Sequence, residues 1–541
     1  MSPVAPPPPA EPDAVLPLLI GERRTDRRAR VAILVAWLVV AAWLAHEHVF
    51  WRDEVRALTL ALSGDSVFGM LWYVHGDGHP ALWYLLLRGA AALFGKHAAL
   101  PVTAFAIGAG AATLFALRAP FRPLMVATAL FGAFFLHEYT VVARNYGLAM
   151  LLMFAFAALY PRWRARGPGL GILLALLCNT NVPAVLLAGA LALFWCVEIG
   201  WEAGPRMSPR WRHFAGNMAL VLLGVAACVA EIYPPFNDAA VSPLAGRVGP
   251  ATLLFATLNL AAPFAMLMPD GWLQTPFAGV LLIAMVVGAP LGLVRSPGGL
   301  VAGLAGAVAM PLFFQLVYPG GYRHQALFVA FLLTLYWLVA EGGGGRWPAR
   351  GPLLRPSWQG VTQRAGQGAM LALLLAQIAI GAEVIATTAA DMPSSRSKDL
   401  AALLRAEHLT DAVVMAAPDV MLEALPYYAP NPIWLTRERR WGHVVAFTKA
   451  AKRDVSVAEL LATARTLHAR TRRPVVIAIR YPLDPAAPAQ VWDQGYVGTA
   501  SSTPADVRAF LAGTRRLARF GPAVTDESYD AYLLSTPVTR P

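Results

Sequence analysis

Charge is what this sequence has least of. Asp, Glu, Lys and Arg make up 14% of its 541 residues, where a soluble domain carries about a quarter, and 57% of the residues are hydrophobic. A chain this poor in charge cannot cover its apolar surface with water-facing side chains, so lipid must solvate much of it. Cysteine is scarce too. Cys178, Cys196 and Cys228 are the only three, each inside an apolar stretch and without metal-ligand spacing, which argues against a disulfide framework and against a structural zinc site. Internal repeats are lacking, so neither a solenoid nor a chain of duplicated halves is indicated. The net charge of +12 implies no nucleic-acid partner, because Lys and Arg fall in short segments between apolar runs, where the positive-inside rule puts them.

What the sequence has is long apolar runs with basic flanks. A Pro-rich tail (Pro6 to Pro9) passes through Arg23, Arg24, Arg27, Arg28 and Arg30 into an apolar run from Val31 to about Phe50. That pattern is shared with signal peptides, but the run is long enough to cross a bilayer and lacks a small-x-small cleavage site before His46, so it reads as a retained first helix with a cytoplasmic N-terminus. Every basic loop can be placed on the cytoplasmic side if about eleven helices span near 31–50, 98–117, 123–140, 146–160, 169–180, 183–199, 214–233, 276–294, 299–318, 324–340 and 368–388. The apolar segment from Pro80 to Phe94 would break the parity if it crossed. It is therefore expected to lie along the outer face, with Arg88 turned to headgroups or protein. The run Gly342 to Gly345 reads as a flexible cytoplasmic loop.

Three regions result: a cytoplasmic Pro/Arg-rich tail at 1–30, a transmembrane region at 31–390 whose first outer loop is 50–97, and a soluble region at 395–541. The last has no apolar run of spanning length. Asp411 to Ala417, Pro474 to Ile479 and Tyr529 to Ser535 read as buried strands, and Pro418 to Leu425 as a helix, which predicts a small α/β domain on the outer side. The fold class expected is thus a polytopic α-helical membrane protein with a small C-terminal α/β domain.

Four clusters of polar residues carry the chemistry. Asp53 and Glu54 sit just past the outer end of the first span, where ionisable groups near lipid point to function. His75, Asp77 and His79 precede the interfacial helix and are candidates for acceptor contacts or for a divalent ion. His137, Glu138, Ala143, Arg144, Asn145 and Tyr146 lie between two apolar runs, with Arg144 and Tyr146 suited to a phosphate. Arg323 and His324 open the tenth span. Each cluster alone has an ordinary reading as a helix cap, a glycine turn or an aromatic belt with snorkelling cations. Their force lies in coincidence, because one topology drawn from apolar length and loop charge puts all four on the same face. Carboxylates and cations meeting at a lipid boundary suit attack by a hydroxyl on a sugar linked to a lipid phosphate. One carboxylate serves as general base, and no acid is required because the phosphate departs as a stable anion.

At these residues the chain resembles the GT-C superfamily, especially the branch holding protein O-mannosyltransferases and the lipid A aminoarabinose transferase. The resemblance covers roughly 31–390. It rests on Asp53-Glu54 after the first span, His79-Pro80 opening an apolar Leu/Tyr-rich helix, Ala143-Arg144-x-Tyr146, and more loosely Arg323-His324. It implies an inverting transfer from a polyprenyl-phosphate sugar at the periplasmic face, to a lipid, glycan or protein acceptor; the abundance of Ala, Gly, Arg and Pro points to a high-GC bacterial gene and so to the inner membrane. Asp53 would be the base, and Glu54 would assist in acceptor or ion contacts. Arg144, Tyr146, Arg323 and His324 would hold the donor phosphate, and His75, Asp77, His79 and Glu138 would contact the acceptor or an ion. The chain departs from the commoner Glu-Ala-Arg pattern in having Val142 before Ala143, which moves any acidic role there to Glu138. Metal use varies in the superfamily, so no cofactor is fixed beyond that candidate ion. A transporter, or a ligase or phosphotransferase acting on lipid-linked glycans, is the alternative reading.

Overall fold

The computed structural model describes residues 19–20, 26–204, 206–239, 249–345, 347 and 356–535. The Pro-rich tail and Arg23 and Arg24 lie outside them. Eight of the described helices are long and apolar enough to cross a membrane. They are α1 (Arg27–Glu47), α5 (Lys96–Arg118), α7 (Tyr146–Trp163), α9 (Val182–Ala203), α10 (Pro209–Ile232), α13 (Pro297–Leu316), α14 (Tyr322–Ala340) and α15 (Pro356–Ala389). Between them come α2 (Arg52–Ala61), α3 (Val67–Val74), α4 (Leu82–Phe94), α6 (Pro123–Leu130), α8 (Gly169–Cys178), α11 (Pro250–Leu258) and α12 (Ala278–Leu291). At 1.5 Å per residue the ten residues of α8 rise about 15 Å, half the thickness of a hydrocarbon core. Of the roughly eleven spans expected, eight correspond to described helices of crossing length, while 169–180, expected to be short, is α8 and 276–294 is the shorter apolar helix α12.

The largest departure falls where 123–140 was expected to be one helix. There α6 stops at Leu130, and after a turn the chain makes a five-residue π-helix at Phe134–Glu138. The break leads into the non-helical stretch Tyr139–Asn145, and π turns commonly occur at functional sites. The glycine run at 342–345 is not a loose loop either. Gly344 donates its N–H to Glu198 and accepts from Gly298 N at 2.8 Å, with a φ of +82° that favours glycine.

The core of the bundle is aromatic. Phe115, Phe121, Phe135, Phe154, Trp37 and Trp337 meet in tilted and edge-to-face pairs with centroids 4.9 to 6.3 Å apart. With lipid as solvent, close packing of small residues supplies much of the cohesion. A Cβ added to Gly366 of α15 would fall 2.0 Å from the backbone nitrogen of Gly292, so these two segments touch backbone to backbone. As expected, α4 does not have spanning length, and Arg88 bonds the carbonyls of Ala61, Ser63 and Gly64.

After α15 comes the α/β domain. Its main sheet has the order β1-β5-β9-β8, from β1 (Val413–Ala417), β5 (Val475–Ile479), β9 (Asp530–Leu534) and β8 (Thr514–Arg519), and two small sheets accompany it, β2 (Trp434–Leu435) with β3 (Arg440–Trp441), and β4 (Asp454–Ser456) with β7 (Thr499–Ser502) and β6 (Gln490–Asp493). The three strands expected from sequence are three adjacent members of the main sheet, β1 and β5 parallel and β9 antiparallel. Alternation assigns the two faces. Val414, Ala416, Val476 and Ala478 pack with Leu400 and Leu404 of α16 (Ser397–Ala406), while Val413, Met415, Val475 and Ile477 pack with Leu460, Leu461 and Leu467 of α17 (Val457–Thr471). The helix expected after Pro418 is reduced to short turns at Asp419–Leu422 and Leu425–Tyr428.

Candidate active site

Helix α2 begins at Arg52, directly after the extended residue Trp51. Its first turn carries two neighbouring carboxylates with opposite fates. Glu54 is fully buried and accepts from Ala143 N–H at 2.6 Å and Trp51 N–H at 3.2 Å, with His48 Nε2 at 2.9 Å. It is thereby committed to tying α2 to the Val142-Ala143-Arg144 segment. Asp53 is different: its side chain is 36% exposed and opens outward. The two are adjacent on a helix and so point about 100° apart.

The guanidinium groups gather around Asp53. Arg323 Nη1 lies 3.2 Å from Asp53 Oδ2, while Arg144 Nη1 donates to the backbone carbonyl of Asp53 at 2.7 Å. Burial alone would raise the Asp53 carboxyl, but Arg144, Arg323, Arg52 and His79 outweigh it and hold the group below the usual carboxylate range. Arg323 in turn stacks over the Trp51 ring at 5.0 Å and reaches Glu138 Oε2 at 3.5 Å. Arg144 Nη2 lies 2.8 Å from His79 Nε2, and Arg144 Nε is buried without a hydrogen-bond partner among the described residues. His79 is held below its ordinary value by burial and by Arg144. Tyr146 hydroxyl lies 2.8 Å from His324 Nε2, and Tyr139 donates to the Arg323 carbonyl at 2.6 Å. The π-helix makes this possible by bringing Glu138 and Tyr139 to the start of α7, where Gly147 lets the chain pass: a Cβ there would stand 2.2 Å from the Tyr139 carbonyl oxygen.

Seven of the residues singled out from sequence thus converge: Asp53, His79, Glu138, Arg144, Tyr146, Arg323 and His324. Three do not join them at the opening. Glu54 is internal. Asp77 stands behind, where Arg56 Nη2 bonds it at 2.6 Å and Tyr84 hydroxyl at 2.7 Å; burial opposes its ionisation, and Arg56 and His79 more than restore it. His75 caps the far end of α3 on the side of Glu231. The candidate ion site at His75, Asp77 and His79 therefore does not fit a metal, since Asp77 is saturated by Arg56 and Tyr84 and His79 faces a cation. No group of three His, Cys, Asp or Glu among the described residues is arranged to hold one.

Sequence reasoning missed the residues that join the site to the C-terminal domain. Arg56 bonds Glu423 Oε1 at 2.5 Å and the Val445 carbonyl at 2.8 Å, and Glu423 accepts Val445 N–H at 2.6 Å. Arg52 pairs with Asp526, and its backbone N–H donates to Glu527 Oε1 at 2.9 Å. Arg52 and Arg56 flank Asp53 in the stretch that drew notice, and as flanking arginines they were the available signal. Glu423 and Glu527 sit among ordinary charged residues and gave none.

No protein-family model matches the chain. No curated protein matches it in sequence. Its structure is similar to the crystal structure of ArnT from Cupriavidus metallidurans in the apo state, with 12% identity over 93% of this chain and 97% of that one and a TM-score of 0.50. A second structure of that ArnT, bound to undecaprenyl phosphate, aligns at 14% identity over 94% and 99% with a TM-score of 0.47. The mycobacterial arabinofuranosyltransferase AftD aligns at 16% over 94% of this chain and 41% of its own, with a TM-score of 0.35. The class this defines is a helical membrane bundle with a C-terminal α/β domain. It is the fold of ArnT, shared at an identity where only the backbone path is held in common.

Proposed function

We propose that the chain is an inverting glycosyltransferase that moves a sugar from a polyprenyl-phosphate carrier to a hydroxyl-bearing lipid, glycan or protein acceptor at the periplasmic face of the inner membrane. The observation that carries this reading is the exposed carboxylate of Asp53, set 3.2 Å from Arg323 and braced through its backbone by Arg144. The ArnT-like fold agrees with it.

The chemistry follows from those groups. The acceptor oxygen forms a bond to the anomeric carbon as the bond from that carbon to the phosphate oxygen breaks. The proton of the hydroxyl passes to Asp53, and the polyprenyl phosphate leaves as an anion stabilised by Arg144 and Arg323. One direct displacement inverts the anomeric centre, because Glu54 is buried and bonded and Glu138, the other carboxylate at the opening, is turned to Arg323 at 3.5 Å, which leaves Asp53 to act as base and not as nucleophile. In the free site the arginines depress the basicity of Asp53. A bound phosphate shares their charge and so restores it, which makes the base competent when the donor is present. Arg144 Nε, buried and without a hydrogen-bond partner among the described residues, is a donor suited to such an oxygen. Tyr146 and His324 complete that side, and His79 and Glu138 line the opening toward the acceptor.

The test is turnover by the purified full-length protein on a panel of radiolabelled polyprenyl-phosphate sugars with membrane lipid extract, wild type against Asp53→Asn. Consumption of one donor by wild type and a loss of at least about a hundredfold in the variant is the expected result. Equal rates would remove Asp53 as the base. A wild type that consumes none while moving substrate across a vesicle membrane would favour transport.

A further inference from the structure

A helix start leaves four backbone N–H groups in need of acceptors. At α2 the residue in the capping position is Trp51, whose side chain can only donate. Its backbone carbonyl serves Glu54 and Val55, at 3.1 Å each. The N–H of Arg52, the first of the helix, is served from 475 residues away by Glu527 Oε1 at 2.9 Å. Glu527 is fully buried, and its backbone is fixed in turn: its carbonyl accepts Arg396 N–H at 3.0 Å, and its N–H donates to Thr525 Oγ1 at 3.2 Å. The neighbouring Asp526 pairs with Arg52 and with Arg480, the latter at 3.1 Å. Three residues on, β9 enters the central sheet of the C-terminal domain. A rigid strand of one domain is thus linked to the first turn of the helix that presents Asp53, through Glu527 on the Arg52 backbone and Asp526 on its side chain.

We infer that Glu527 is a positioning residue for Asp53: the C-terminal domain caps α2 in trans and so holds the carboxylate in register with Arg144 and Arg323. The inference rests on the proposed function, in which Asp53 is the base. It assigns the C-terminal domain a part in the active site itself, beyond any covering or acceptor-selecting role. The bond asks for an acceptor oxygen and not for a charge. Burial drives the Glu527 carboxyl up to about 8 against the opposing pull of Arg52, so an uncharged amide oxygen can take its place.

The experiment compares wild type, Glu527→Ala and Glu527→Gln in the full chain. It reads hydrogen exchange in a peptide covering residues 51–61 and, separately, kcat and KM for the donor. The alanine variant is expected to exchange its first α2 turn at least about tenfold faster, with β5 unchanged. Its kcat should fall about tenfold or more, as a small misplacement of a reacting group does, at nearly constant KM. Glutamine is expected to restore both. Wild-type exchange in the alanine variant overturns the cap, and faster exchange throughout the domain overturns positioning in favour of a merely structural role. Faster α2 exchange with unchanged kcat overturns the catalytic half. If the exchange effect appears but wild type consumes no donor, the cap stands and the transferase reading is what has failed.

Discussion

Arg323 Nη1 lies 3.2 Å from Asp53 Oδ2 although 270 residues separate them. The pair is the hinge of the site's electrostatics, because in the proposed reaction the same guanidinium would stabilise the ionised base and face the leaving group. With Arg144 and Arg52 it holds the Asp53 carboxyl below the usual range. A base must be ionised to act, so kcat/KM should not fall on the acid side until below ordinary aspartate titration. Arg323→Gln removes one of the depressing charges. The carboxyl pKa then rises, and the acid limb of the kcat/KM profile is expected to move to higher pH. An unmoved limb in a variant that still turns over would separate Arg323 from Asp53.

The passage of the chain past Tyr139 depends on Gly147. A Cβ at that position would lie 2.2 Å from the Tyr139 carbonyl oxygen, and that backbone atom has no side-chain freedom with which to yield. Gly147→Ala is expected to cost about 1–3 kcal/mol of stability and to displace Tyr146 from His324. Melting in detergent checks the first effect and donor KM the second.

Arg56 holds Asp77 and Glu423 together, and all three side chains are at most 8% exposed. Removing the cation leaves two buried carboxyl groups without their partner. Arg56→Met should therefore destabilise the contact between bundle and C-terminal domain by about 3–5 kcal/mol. It would be read as a lowered melting temperature and faster proteolytic release of the domain. A variant as stable as wild type would show that the domain is held elsewhere.

Two carboxyl groups at that contact make it sensitive to pH. Burial, against the pull of Arg56, raises Glu423 to about 7, and burial, against Arg52, raises Glu527 to about 8. In the unfolded chain both titrate near 4.5. Between these values the folded state keeps protons that the unfolded state has released, so stability falls as pH rises. Asp77 is shifted the opposite way, and its contribution is already complete above about pH 4. The melting temperature is therefore expected to decline from about pH 5 to about pH 8 and to level off above it, with a shallower slope in Glu527→Gln. A flat profile would contradict the raised values.

Some of this was readable in one dimension because the physics behind it is local. The apolar runs at α1, α5, α7 and α9 were found within a few residues, since spanning lipid demands length and composition that no other structure needs. Strands β1, β5 and β9 showed as apolar runs because each is buried on both faces or nearly so. The shared face of Asp53, Arg144 and Arg323 could be read as well, because loop charge sets topology.

Other features depend on neighbours that no window of sequence contains. The π-helix at Phe134–Glu138 interrupts a run whose hydropathy alone reads as one span. Glu54 and Asp53 look alike in sequence and differ by whether Ala143 and His48 close over one of them. Asp77, flanked by two histidines, reads as a metal ligand until Arg56 and Tyr84 are found on its oxygens.

The sequence by itself determined the membrane bundle, the trailing α/β domain and the face on which the charged clusters lie, because apolar length, strand alternation and loop charge act over short distances. Only the tertiary structure decided which of the two neighbouring carboxylates is exposed, that Asp77 of the candidate ion site is held in an ion pair, and that Glu423 and Glu527 bond the helix that carries Asp53. Those outcomes rest on hydrogen bonds and burial between segments hundreds of residues apart, and whether a polar group is a reagent or a brace is set by what surrounds it once the chain has closed.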